Sequence, residues 1–142
     1  MNLSFREKSL WLLLLSLLGA FAAYFAAVLP APSPDTGPDQ VATFVGMLIL
    51  LVVVQVAGQV VLAIASRREL AGAVQSDERD TLIGLKSTRL ASWVLASGVF
   101  GSLCVALLVP GNFAFMHALL GSWVLSQATE IGAQLVQYRR GA

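Results

Sequence analysis

Charge is what this chain has least of. Of its 142 residues only 12% are Asp, Glu, Lys or Arg, against 57% hydrophobic residues, whereas soluble domains carry roughly half apolar residues and about a quarter charged ones. A soluble fold of this length has too little interior to hide that much apolar surface. The formal net charge is +1, so there is no basic excess to draw nucleic acid and no acidic excess to draw a cationic substrate; no direct nucleic-acid partner is expected. One cysteine, Cys104, and one histidine, His117, exclude an intramolecular disulfide, a thiolate cluster and a multi-histidine metal site within one chain. Cys104 sits in the run LCVALLV and reads as a small packing residue. No glycine-rich phosphate loop, paired catalytic carboxylates, nucleophile beside a base or metal-ligand spacing occurs. The expected protein is therefore not an enzyme and carries no cofactor or metal.

What is abundant is long apolar sequence. A membrane-crossing helix needs about 20 mainly apolar residues, and four stretches qualify: Leu10 to Leu29, Val41 to Ala65, Leu90 to Val109 and Phe113 to Val136. No alternation of period two supports a barrel, and hydrocarbon offers no partner for free backbone groups, so these runs are read as helices. Between the first two lies PAPSPDTGPDQ, Pro30 to Gln40, whose four prolines end one helix and delay the next. Pro110, Gly111 and Asn112 make a tight turn between the last two. The expected fold is all-α, a single membrane-spanning antiparallel four-helix bundle over residues 1–142, with a hairpin at 66–89.

The cations are not scattered. Arg6 and Lys8 precede the first span, Arg67, Arg68, Arg79, Lys86 and Arg89 lie between the second and third, and Arg139 and Arg140 follow the fourth, which accounts for all nine Lys and Arg. Loops bearing Lys and Arg stay in the cytoplasm, so both termini and the hairpin are expected on the cytoplasmic side of the membrane. The loop with Asp35 and Asp39 is expected outside. A cleavable signal peptide competes for the first stretch, but its apolar run is longer than the 7 to 15 residues of a signal core. Trp11 and Tyr138 are placed to act as interfacial anchors.

Glu130 is an ionisable group inside a span, which marks it for attention. It shares a helical face with Gln127, Gln134 and Gln137. Gln55 and Gln59 lie one turn apart on the second span, at a depth close to that of Gln127 and Glu130. An interior polar cluster of Gln55, Gln59, Gln127 and Glu130 is the expectation, with two readings open: hydrogen bonds that join helices, or proton or cation coupling in a small transporter built on Glu130. Ser97 and Gly101 have the small-xxx-small spacing that lets helices approach, within the bundle or in a homodimer. In the hairpin, Ser76 is a good N-cap, Asp77, Glu78 and Asp80 fall in a first turn where the helix dipole favours them, and Lys86 and Arg89 lie further on near lipid headgroups. This is either a capped extension of the third helix or a docking surface made by Asp77, Glu78, Arg79, Asp80, Lys86 and Arg89.

Two segments carry a resemblance. Phe5, Glu7, Lys8, Ser9 and Trp11, with Asp77, Glu78, Arg79, Asp80, Ile83, Lys86 and Arg89, resemble the FxEKSxW opening and the charged hairpin of a family of small uncharacterised bacterial four-helix integral membrane proteins. The resemblance implies the same four-helix layout and, because such proteins are often encoded beside a short helix-turn-helix regulator, a cytosolic partner of that kind. The function expected is that of a non-enzymatic membrane module, bathed in lipid, that binds or regulates a partner through the 66–89 hairpin.

Overall fold

The computed structural model describes residues 5–30, 35–65 and 78–140, without the side chains of Glu78 and Arg79. They form four helices: α1 Phe5–Val28, α2 Pro38–Ala65, α3 Glu78–Leu108 and α4 Phe113–Arg140. Three of them, α1, α2 and residues Asp80–Leu108 of α3, are long and apolar enough to cross a membrane. The fourth, α4, has 28 residues but is diluted by His117, Ser122, Ser126, Gln127, Thr129, Glu130, Gln134 and Gln137. Among the described residues the chain is thus an all-α four-helix bundle with three long apolar helices.

Local chemistry sets the helix ends. α2 starts at Pro38, three residues before the expected apolar run, because proline suits the first helical position, where its missing N–H is unneeded. Gln40 then turns back so that its Oε1 accepts from the Gly37 amide at 3.4 Å, half of a capping box. The α3–α4 turn relies on Gly111, whose φ of 87° lies in the left-handed region that favours glycine. The two loops at this end are tied together: the Thr36 amide donates to Asn112 Oδ1 at 2.7 Å and the Asn112 amide donates to Asp35 Oδ1 at 3.4 Å. At 1.5 Å per residue, the 31 residues of α3 span about 46 Å, well beyond the ~30 Å of hydrocarbon. Its polar first turns therefore extend past the apolar stretch, as the sequence led us to expect.

The helices pack in the order α2, α1, α4, α3, with α3 against α4 the most extensive interface. Gly98 is the reason for that closeness, since it lies directly against Ser122 of α4. The core forms where α1, α2 and α4 meet, around Leu17, Phe21, Leu51 and Val124. A second cluster of Tyr24, Val28 and Phe113 continues it towards the loops. α2 packs chiefly on α1, and none of its most apolar window is buried. Large apolar side chains such as Leu15, Ile49, Val61, Phe100 and Leu107 cover the outside. Against water so continuous an apolar surface invites aggregation; against lipid tails it is matched to its solvent.

Candidate functional site: polar side chains between the helices

The polar residues that join the helices divide into three groups. In the first, α1 meets α2 through serine–glutamine bonds. Ser9 Oγ donates to Gln59 Oε1 at 3.0 Å, and Gln55 Nε2 donates to Ser16 Oγ at 2.7 Å while Ser16 donates to the Leu12 carbonyl at 2.6 Å. Ser9 and Ser16 are seven residues apart on one face of α1, a spacing that marks them as partners for the α2 glutamines. The sequence reading passed over them.

The second group joins α3 to α4. Thr88 Oγ1 donates to Glu130 Oε1 at 2.7 Å, Gln137 Nε2 to Ser87 Oγ at 3.0 Å, and Ser126 Oγ to the Ala91 carbonyl at 2.9 Å. Glu130 is thus engaged on the α3 side of α4. Gln55, Gln59 and Gln127 line a different space, a cavity of about 540 Å³ between α1, α2 and α4 with Trp123 and Ile131 in its wall. The four residues expected in one cluster therefore divide: three glutamines share the cavity, and the carboxylate bonds Thr88 instead. Gln55 Oε1 is buried with no hydrogen-bond partner.

The third group lies near the opposite ends of α1 and α4. His117, 8% exposed, has Nδ1 2.7 Å from the Phe113 carbonyl and Nε2 3.0 Å from Tyr24 Oη. A carbonyl only accepts, so Nδ1 carries the proton, and Nε2 accepts from the tyrosine hydroxyl. The imidazole packs on the Phe113 ring with centroids 4.1 Å apart and a tilt of 30°, and lies nearly parallel to the Tyr24 ring with centroids 5.8 Å apart. No sequence pattern pointed to Tyr24, on another helix, as the partner of His117. Tyr24→Phe should cost about 1 kcal/mol of stability in detergent, because it strands a buried acceptor in a setting where interhelical bonds are individually modest. Nitrogen-labelled NMR of the lone histidine should show the Nδ1–H form in the unaltered chain; the Nε2–H form would overturn the assignment.

At the cationic end, Asp80 is fully engaged. Arg6 Nη1 donates to its Oδ2, and Tyr138 Oη donates to its Oδ1 at 2.8 Å. Arg6 also lies over the Tyr138 ring at 5.7 Å, and Arg139 over the Trp11 ring at 5.8 Å. The two expected anchors are therefore cation-bearing rings. Of the proposed docking residues, Lys86 and Arg89 are exposed, Asp80 is bonded within the fold, and Asp77 lies outside the described residues. Ser97 and Gly101 face outward, and a Cβ added at Gly101 would meet nothing within 4 Å.

The geometry describes helices joined by hydroxyl and amide side chains, with Glu130, His117 and Tyr24 each bonded to a neighbouring helix or to their own. Comparison with known proteins adds no relative: no family model, no curated protein and no solved structure matches the chain.

Proposed function

We propose that the chain is a non-enzymatic module of the cytoplasmic membrane, crossing it four times with both termini inside, that binds a cytosolic partner through its 66–89 hairpin. The observation carrying this reading is the Arg6–Asp80–Tyr138 junction. It joins the start of α1, the first turns of α3 and the end of α4, so the base of the hairpin is anchored to both ends of the chain. Exposed Lys86 and Arg89 stand just beyond it on α3. The same end gathers Arg139 and Arg140, while the opposite end carries Asp35 and Asp39, the asymmetry that retains an end in the cytoplasm. The fourth crossing falls to α4, whose His117 bonds α1 and whose Ser126, Glu130 and Gln137 bond α3.

Compartment reporters fused at positions 35 and 139 should report opposite sides of the membrane; the same side for both removes the topology. For the partner, the full chain should co-purify with a helix-turn-helix regulator encoded beside it. Lys86→Glu with Arg89→Glu should cut recovery by about tenfold, given that close charge pairs at interfaces couple by 1.5 kcal/mol or more. Unchanged recovery would remove the hairpin as the docking surface.

A further inference from the structure

Near the loops tied by Asn112, a second cavity of about 460 Å³ opens between α2 and α4, and nothing in the helix-joining scheme uses it. Tyr24, Phe44, His117 and Trp123 are in its wall, together with leucines and Met116 of α3 and α4, while Thr36 and Gln40 lie at its loop end. Thr36 Oγ1 reaches Met116 Sδ at 3.6 Å, which links the loop to α4 beside the cavity. The volume is within the range of small-molecule sites, and the make-up fits one: mostly apolar, with a few polar groups gathered at one end.

The charge around that end decides which molecule suits it. Every Lys and Arg of the chain lies in residues 6–8, 67–89 or 139–140, and the described residues at the loop end carry only Asp35 and Asp39 as charged groups, both exposed. An anionic head would meet two carboxylates there. A neutral one would gain nothing from them. A cationic head is attracted to the carboxylates, and the wall holds three aromatic residues, Tyr24, Phe44 and Trp123, a residue type that attracts cations. We infer that this cavity binds lipid-soluble monocations, amphiphiles of the quaternary ammonium class, with the apolar body between α2 and α4 and the charged head at the loop end, near Thr36 and Gln40, which Asp35 and Asp39 flank in sequence. The site is independent of the hairpin at the other end of the bundle, so it stands whether or not the hairpin binds a partner.

Trp123 in the cavity wall supplies the reporter. The chain has three tryptophans, and Trp11→Phe with Trp93→Phe leaves Trp123 alone. In nanodiscs of zwitterionic lipid, a long-chain trimethylammonium salt with a terminal bromine should quench Trp123 saturably. Half-saturation should come at about a fivefold lower mole fraction than for the bromo-alcohol of equal chain length, which is what one partly exposed charge contact supplies. Asp35→Asn with Asp39→Asn, which removes both carboxylates of that end and keeps an amide oxygen for the Asn112 N–H, should close most of that gap, as should high salt. If the double tryptophan variant fails to fold, the unaltered chain gives the same answer through its melting temperature, which the cation should raise more than the alcohol does. Equal quenching or equal stabilisation by the two probes, or quenching that rises without saturating, would overturn the site.

Discussion

Gly98→Leu is expected to part α3 from α4 and to lower the unfolding free energy of the bundle in detergent by about 3 kcal/mol, the upper end of the usual cost of overpacking. A Cβ at position 98 would overlap the Ser122 side chain and lie 3.3 Å from its Cα. The Ser122 hydroxyl could turn aside, but the Ser122 Cβ, which the added Cβ would overlap, is fixed by the backbone and clears only if the helix moves. Because small residues at helix crossings let backbones approach where lipid provides no hydrophobic drive, that closeness is a main source of adhesion between the two. Two controls make the measurement specific. Gly101→Leu, three residues on, faces open space and should change stability by less than about 0.5 kcal/mol. Gly98→Ala combined with Ser122→Gly should recover much of what Gly98→Ala alone loses, since most of the overlap is with the serine side chain. An equal effect at positions 98 and 101 would show that the interface does not depend on close approach there.

Phe21→Ala is the second large effect. Phe21 is 1% exposed, belongs to the cluster with Leu17, Leu51 and Val124, and meets the Trp123 ring edge-on at 5.8 Å. In a soluble core such a truncation costs about 3 to 5 kcal/mol, part transfer and part cavity. In a bilayer the helices separate into lipid that is nearly as apolar as the core, so the transfer part largely cancels and the lost packing remains. The expected cost is about 2 kcal/mol, read from unfolding of the detergent-solubilised chain. Leu15→Ala, at a position 62% exposed, should be close to neutral. A Phe21 effect no larger than that of Leu15 would mean that α1 does not occupy the centre of the packing.

Element by element, the chain was most legible where single-helix patterns decide. Hydropathy located the helices, and Pro110 with Gly111 marked the α3–α4 turn. The polar start of α3 was readable from the acidic first turn before the apolar stretch. Pro38 was misread as loop because a proline-rich segment and a proline-initiated helix look alike until the capping bond from Gly37 to Gln40 is seen. The faces of the polar residues were also readable, since periodicity puts Glu130 beside Gln127 and Gln134 on α4. Which neighbour each face meets was not. Thr88 rather than Gln55 bonds Glu130, because α4 has α3 on one side and α1 on the other, and no property of residue 130 records that order. For the same reason Tyr24 was invisible as the partner of His117, and Asp80 looked free although Arg6 and Tyr138 come to it from the two ends of the chain.

The packing order α2, α1, α4, α3 also bears on how the molecule is made. Synthesis delivers α1 and α2 to the bilayer first, as a hairpin held by Ser9–Gln59, Ser16–Gln55 and the packing of Leu51 and Phe44 on α1. The strongest adhesion arrives last, when α4 emerges and closes on α3 and α1 at once. Until then α1 keeps in lipid the side that Phe21 and Tyr24 will later bury, and the nascent chain is a loose pair of helices awaiting its final segment. A chain that stops before residue 113 would therefore lack its most extensive interface, which makes α4, the least apolar of the four helices, the one that commits the protein to its shape.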